Sequence, residues 1–129
     1  MYRIRKTFGP FSAGHHLQGL PQGHKCARPH GHNYTVEVVV VSRQLTEPGF
    51  VTDFGDLKPF GQYAKQQMDH QDLNEVFDFP PTSERIAHHL ADWFIAHLEP
   101  VIDGRLEAVR VSETDATWAE YVPDRQACA

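Results

Sequence analysis

The sequence has too few cysteines for a disulfide framework or for the usual closed zinc site. Cys26 and Cys128 are the only two cysteines among 129 residues, and no Cys-X-X-Cys pair occurs. Closed structural zinc sites usually draw on two or more cysteines, often in such pairs. The low cysteine content fits a reducing compartment, so we expect Cys26 to stay a free thiol and Cys128 to have no role.

A long apolar run and a surplus of basic residues are also absent. The segment Met1–Lys6 lacks the apolar stretch of a signal peptide, and no run approaches the length of a membrane span. Lys and Arg number 12 against 17 Asp and Glu, which gives a formal net charge of −5. These features predict a cytoplasmic protein that binds neither membranes nor nucleic acid. An anionic substrate would need locally placed Lys and Arg side chains.

The length and a hydrophobic content of 40% fit one domain spanning residues 1–129. Alternating and β-branched segments predict four strands, over residues 2–12, 33–43, 105–114 and 117–122. In the third strand, strict alternation would place Leu106 and Ala108 on one face and Val109 and Val111 on the other. Residues 13–31 contain four glycines and two prolines, which predicts a long loop of a kind that is often functional.

Two helices are predicted between the two pairs of strands. Asp53 is expected to cap a helix over residues 54–68, because its carboxylate can accept the free N–H groups of the first turn. Thr82 or Ser83 is expected to cap a second helix that ends near Leu98. The predicted fold class is therefore α+β, with a four-stranded antiparallel sheet and two helices inserted between its hairpins.

The spacing of Cys26, His30 and His32 is the strongest chemical signal in the sequence. Side chains at positions i and i+2 of an extended strand leave from the same face, so both histidines can reach one ion. His15, which lies upstream, can complete a set of three imidazoles. Three neutral imidazoles suit Zn²⁺ and leave a fourth position open for water or substrate, as in catalytic zinc sites.

Other interpretations of these residues are possible. The chain has nine histidines, so their abundance alone does not indicate a metal. Cys26 could be the fourth ligand of a closed structural zinc site. The second predicted helix contains three further histidines, which are interpreted as surface or boundary residues: His88, His89 and His97.

Six motifs of the chain occur together and in a fixed order. They are Phe11-Ser12-Ala13-Gly14-His15, Cys26…His30-Gly31-His32, Asp53-Phe54, Asp69-His70…Leu73-Asn74, Pro81-Thr82-Ser83-Glu84 and Ser112-Glu113-Thr114. This set resembles the 6-pyruvoyltetrahydropterin synthase superfamily of the tunnelling fold, over residues 1 to about 121. The three residues between Cys26 and His30 resemble the bacterial 6-carboxy-5,6,7,8-tetrahydropterin synthases of queuosine biosynthesis, since pyruvoyl synthases typically carry a longer spacer there.

The resemblance implies a substrate, a metal and an assembly. The substrate would be 7,8-dihydroneopterin triphosphate, and the products 6-carboxy-5,6,7,8-tetrahydropterin, acetaldehyde and triphosphate. The subunits would oligomerise into a barrel, commonly a homohexamer made as a dimer of trimers, with active sites between subunits.

The resemblance also implies roles for individual residues. His15, His30 and His32 match the zinc ligands of the family. Cys26 matches the catalytic thiol, Asp69 and His70 the catalytic pair, and Glu113 the carboxylate that holds the pterin. Thr82, Ser83 and Glu84 match a segment that lines the pterin pocket.

Taken by themselves, several of these residues have simpler explanations. Asp69 and His70 could close a helix, Glu113 could be a solvated strand residue, and the segment 82–84 is explained by a helix cap. Lys25 and Arg28 are plausible triphosphate contacts that the sequence does not fix. Three functions therefore remain open: the carboxytetrahydropterin synthase, a pyruvoyl-type or other pterin side-chain lyase, and a non-catalytic zinc-binding assembly protein.

Overall fold

A computed structural model describes residues 1–125, so that Cys128 lies outside the described residues. The residues form a mixed five-stranded sheet in the order β3-β1-β2-β4-β5. The strands are β1 (Tyr2–His15), β2 (His30–Ser42), β3 (Gln71–Asp72), β4 (Arg105–Thr114) and β5 (Thr117–Tyr121). Neighbouring strands are antiparallel except for β3, which runs parallel to β1.

Three α-helices and several shorter turns connect the strands. The α-helices are α1 (Lys58–Met68), α2 (Leu73–Val76) and α3 (Ser83–Trp93). Single 3-10 turns occupy Lys25–Ala27, Phe54–Leu57 and Glu99–Val101, and a π-helical turn occupies Phe94–Leu98. Within residues 1–125, no helix combines the length and the apolar content that are needed to span a membrane.

The predicted helix starts are present. The Asp53 side chain accepts a hydrogen bond from the Gly55 N–H, and the Thr82 side chain accepts one from the Arg85 N–H. The first predicted helix begins as a 3-10 turn before becoming α-helical, and the second changes to a π-helical turn at Phe94.

The core lies between one face of the sheet and helices α1 and α3. Val36, Val38 and Val40 are fully buried on β2, and they belong to one apolar cluster with the inward residues of both helices. Gly61 allows α1 to approach the sheet closely, since a Cβ atom at this position would lie 2.3 Å from the Phe8 ring. A hydrophobic core therefore fixes the sheet from which the histidines project.

The sheet differs from the predicted one in its number of strands and in their bounds. The α+β class is confirmed, but β3 adds a short fifth strand through parallel pairing of Gln71 and Asp72 with Ala13 and Gly14. Strand β1 continues to His15, past its predicted end at residue 12, and β2 begins at His30 instead of residue 33. The two extended ends pair with each other, from Ala13 opposite His32 to His15 opposite His30. This pairing explains the extension, because each end supplies backbone hydrogen-bond partners for the other.

The strict alternation predicted for β4 is wrong. Val39 pairs with Ala108, whereas the next residue of β2, Val40, pairs with Leu106, so that Glu107 is an extra residue in β4. Such a bulge shifts the alternation of side chains between the two faces. As a result, Leu106 joins Val109 and Val111 in the core cluster.

Candidate functional site

The three histidines of the predicted metal site come together at the paired ends of β1 and β2. His15 lies directly opposite His30 in the antiparallel register, and His32 follows two residues later on the same strand. One ligand nitrogen from each residue lies within 4.8 Å of the others, and His15 is buried while the other two are half-buried. This spacing is short enough for one ion to contact all three imidazoles.

Hydrogen bonds fix the orientation of two of the rings. The Nδ1 atom of His15 lies 2.8 Å from the carbonyl oxygen of Pro81, and the Nδ1 atom of His30 lies 2.7 Å from that of Arg28. A carbonyl oxygen can only accept, so each Nδ1 carries the hydrogen and each Nε2 carries the free lone pair. A backbone acceptor behind the ring is the usual arrangement for a metal-binding histidine.

Two nitrogens of the cluster are buried without a hydrogen-bond partner. These are the Nε2 atoms of His15 and His32. The His32 Nε2 atom lies 3.3 Å from the Glu113 Oε2 atom, but the geometry is not that of a hydrogen bond. Buried polar atoms are rarely left unpaired. A metal ion would satisfy both nitrogens, so the residues present fit the predicted group.

The environment of His32 favours its neutral form. Burial lowers the pKa of His32, the nearby Glu113 carboxylate opposes this shift, and His15 and His30 lower the pKa further. The neutral imidazole is the form that binds a metal. The electrostatics and the geometry therefore favour the same use of this side chain.

Tyr34 packs beneath the histidines and was not identified from the sequence. Its side chain is fully buried, its ring contacts the rings of His15 and His32, and its hydroxyl lies 3.2 Å from the His15 Nδ1 atom. Burial raises the pKa of Tyr34, with a smaller contribution from Glu113, so the phenol stays protonated. Its position two residues after His32 on the same strand was the signal that could have identified it.

Asn74 is a second residue whose role the sequence did not reveal. Its side-chain Oδ1 accepts a hydrogen bond of 2.9 Å from the His16 N–H, and its Nδ2 donates one of 3.0 Å to the His16 carbonyl. The amide thus satisfies the backbone N–H and carbonyl of His16, as a neighbouring strand would, just after the end of β1 at His15. These two bonds hold the backbone next to a candidate metal ligand.

Cys26 lies in the 3-10 turn of the loop and outside the histidine cluster. Among residues 1–125, the group that could hold a metal consists of the three histidines without the thiol. The His24 Nδ1 atom accepts a hydrogen bond from the Cys26 N–H, and the Cys26 carbonyl accepts one from Leu17. Cys26 is partly exposed and lines a cavity together with His30 and His32. Cys26 therefore borders the same cavity as His30 and His32 but lies outside the histidine cluster.

Asp69 and His70 follow the end of α1 and contact each other. The His70 Nδ1 atom lies 3.1 Å from the Asp69 Oδ1 atom, and the His70 side chain is 81% exposed. His70 has a φ of 58°, which is uncommon for a residue other than glycine. Its backbone N–H donates to the Ser12 carbonyl, and the Ser12 N–H donates to Asp69. The pair is thereby attached to β1, close to the histidine cluster.

Glu113 contacts both the histidine cluster and the start of α3. Its Oε1 atom accepts a hydrogen bond of 2.9 Å from the Ser83 hydroxyl, while its Oε2 atom faces His32. Thr82 is engaged in capping the helix. Glu84 is exposed and lines a smaller cleft beside Trp118. Of the segment 82–84, Ser83 is the residue that contacts Glu113, the carboxylate predicted to hold the pterin.

Two adjoining cavities meet at the segment Pro29 to His32. The larger has a volume of about 1000 Å³ and is lined by His70, Glu113 and Asp115. The smaller has a volume of about 470 Å³ and is lined by Lys25, Cys26 and Arg28. His30 and His32 therefore border both cavities, with His70 and Glu113 in the larger one and Cys26 in the smaller one.

Comparisons with known proteins identify the relatives of this chain. The sequence model of a family described as 6-pyruvoyl tetrahydropterin synthase matches residues 3–124. A 6-carboxy-5,6,7,8-tetrahydropterin synthase from Bacillus subtilis is 32% identical over 88% of this chain and 81% of its own length. The human 6-pyruvoyl tetrahydrobiopterin synthase is 34% identical over 86% of this chain and 85% of its own length.

A solved structure is similar to the whole fold. The Caenorhabditis elegans 6-pyruvoyl tetrahydropterin synthase superposes with a TM-score of 0.80, over 95% of this chain and 96% of that one. The sequence identity is 24%, so this likeness concerns the fold alone.

Proposed function

The chain belongs to the 6-pyruvoyl tetrahydropterin synthase family, and from that premise we propose that it is a zinc-dependent carbon–carbon lyase. The proposed reaction converts 7,8-dihydroneopterin triphosphate to 6-carboxy-5,6,7,8-tetrahydropterin with release of acetaldehyde and triphosphate, in queuosine biosynthesis in the cytoplasm. The observation that carries the proposal is the contact between Glu113 and His32. It brings the predicted pterin acceptor within 3.3 Å of a candidate metal ligand, beside a cavity of about 1000 Å³.

Zn²⁺ is the proposed metal, held by His15, His30 and His32. Three imidazoles without a carboxylate or thiolate ligand suit zinc better than they suit magnesium or calcium. When bound, the ion would supply Lewis-acid stabilisation of negative charge on the side-chain oxygens of the substrate.

Each residue around the cluster has a proposed task. Glu113 accepts hydrogen bonds from the pterin ring N–H and 2-amino groups, and Ser83 holds the carboxylate in place. Cys26 removes a proton beside the C6 position as its thiolate. His70 moves a proton on the Glu113 side of the cluster, and the Asp69 carboxylate fixes the orientation of its ring.

The runner-up is a pyruvoyl-type synthase or another pterin side-chain lyase. The human relative has nearly the same identity to this chain as the bacterial one, so overall similarity does not separate the two reactions. The three-residue spacer between Cys26 and His30 favours the carboxy product, because it resembles that group of enzymes. A non-catalytic zinc protein is disfavoured, because Cys26 lies outside the ligand cluster.

The proposed assembly is a homohexamer built as a dimer of trimers. A chain of 129 residues provides few layers with which to enclose a pterin, a triphosphate and a metal at once. A second subunit would supply the missing wall of the site.

Product identification tests the proposed reaction. The zinc-loaded protein is incubated with 7,8-dihydroneopterin triphosphate, and the pterin products and acetaldehyde are quantified by mass spectrometry. We expect 6-carboxy-5,6,7,8-tetrahydropterin and acetaldehyde in equal amounts, with the Cys26→Ala variant as a control of strongly reduced activity. A pyruvoyl product without acetaldehyde would select the runner-up, and no turnover would overturn both enzymatic functions.

A further inference from the structure

The two cavities that meet at the histidine cluster differ in the charge of their lining residues. The larger cavity is lined by the carboxylates Glu113 and Asp115, whereas the smaller one has no acidic residue among its lining residues and contains Lys25 and Arg28. The chain as a whole carries a formal net charge of −5, so the smaller cavity is a local exception. A negatively charged group would be repelled by the first cavity and attracted by the second.

Neither cation of the smaller cavity is paired with an acidic side chain among the described residues of the chain. Within residues 1–125, the ion pairs formed by Lys and Arg involve Arg3, Arg110 and Arg125, and none involves Lys25 or Arg28. Both residues are exposed, and their side chains form no hydrogen bond to another described residue. Their charges are therefore available to a ligand.

The backbone around these cations is held independently of their side chains. The Arg28 carbonyl accepts the hydrogen bond from the His30 ring, and the Arg28 N–H donates to the Lys25 carbonyl. The turn that contains Cys26 is capped by His24. The backbone thus places the two cations on either side of Cys26 along the chain, and changing their side chains removes none of these backbone bonds.

We infer that Lys25 and Arg28 form a polyphosphate subsite that binds the triphosphate of the substrate. The inference rests on the proposed function, since it takes the substrate to be a pterin with a phosphorylated side chain. In this arrangement the pterin ring occupies the larger cavity beside Glu113. The side chain of the substrate crosses the histidine cluster past Cys26, and its triphosphate occupies the smaller cavity. Arg28 contributes a planar fork of donors and Lys25 a compact charge, and both bind phosphate oxygens.

Binding of inorganic tripolyphosphate tests the subsite without any catalytic step. The affinity of the zinc-loaded protein is measured by isothermal titration calorimetry for the wild type, Lys25→Gln, Arg28→Gln and the double variant. We expect each single substitution to weaken binding by about 10-fold and the pair by about 100-fold, because each removes a charge-assisted hydrogen bond. The control is the double variant Lys65→Gln, Arg43→Gln, which removes the same charge outside both cavities and should bind as the wild type does.

A second measurement separates this inference from the proposed function. Affinities for 7,8-dihydroneopterin triphosphate and for unphosphorylated 7,8-dihydroneopterin are compared in the Cys26→Ala background, where turnover is expected to be slower by about 10²- to 10⁴-fold. The Lys25→Gln, Arg28→Gln pair should weaken binding of the first ligand by about 100-fold and leave that of the second within about 2-fold. Equal losses in the control variant, or unchanged binding of tripolyphosphate, would overturn the subsite even if the enzyme makes the expected product. Tripolyphosphate binding that depends on both cations would support it even if that product is not made.

Discussion

The histidine cluster and the loop that carries Cys26 are adjacent, but they are built differently. His15, His30 and His32 belong to strands β1 and β2, which pair with each other from residue 2 to the histidines themselves. Cys26 lies in a single 3-10 turn between those strands, and its backbone is held by one side-chain cap and one hydrogen bond to Leu17. The histidines are buried or half-buried, whereas most loop residues around Cys26 are exposed.

For the proposed function, this difference predicts that metal binding and proton transfer are separable. A cluster formed by paired strands and backed by a packed core is rigid before any ligand arrives. A thiol on a short turn can adjust to the substrate without disturbing the ligands. We therefore expect substitutions on the strands to affect the metal, and substitutions in the loop to affect substrate binding or turnover without loss of the metal.

The largest effect is expected for His32→Ala. Loss of a group that only hydrogen-bonds to a metal ligand typically lowers metal affinity by roughly 10- to 100-fold. Loss of one of the three ligands themselves should lower zinc affinity by more than that, and activity should disappear with the metal. Metal content after dialysis is measured by inductively coupled plasma mass spectrometry. His88→Ala is the matched control, because this exposed histidine lies on α3 away from the cluster. Retention of stoichiometric zinc in His32→Ala would contradict the three-histidine site.

A smaller and more selective effect is expected for Cys26→Ala. Removing a general base typically costs about 10²- to 10⁴-fold in rate, so turnover should fall by that amount. Zinc content and pterin affinity should stay unchanged, since Cys26 lies outside the ligand cluster. Single-turnover kinetics, together with a fluorescence titration of the pterin, check both parts. Loss of zinc in this variant would show that the loop and the strands form one closed site.

The smallest effect is expected for Asn74→Ala, which tests whether the strand end needs its side-chain support. The substitution removes both hydrogen bonds to His16, and it should lower zinc affinity by about 10-fold through the loosened backbone of His15. Asn74→Asp keeps the acceptor for the His16 N–H but loses the donor, so its loss should be intermediate. Competition with a zinc chelator gives the affinities. Wild-type affinity in both variants would show that strand pairing alone holds His15.

Local rules were enough to predict several parts of the fold and the site. The caps at Asp53 and Thr82 followed from side-chain chemistry within three residues, and the shared direction of His30 and His32 followed from the geometry of a strand. The bulge at Glu107 could not be predicted in this way. It depends on how β4 pairs with β2, and alternation within one strand contains no such information.

The sequence by itself determined the fold class, the caps of the helices and the three candidate metal ligands. These depend on periodicity, on nearest neighbours and on motifs that resemble a known family. Tertiary structure alone decided that β3 joins β1, that Asn74 holds His16, and that the cations and the carboxylates line separate cavities. In each of these cases the partners are brought together by chain folding over tens of residues. The energy of such contacts depends on distances in space that the order of the residues does not specify.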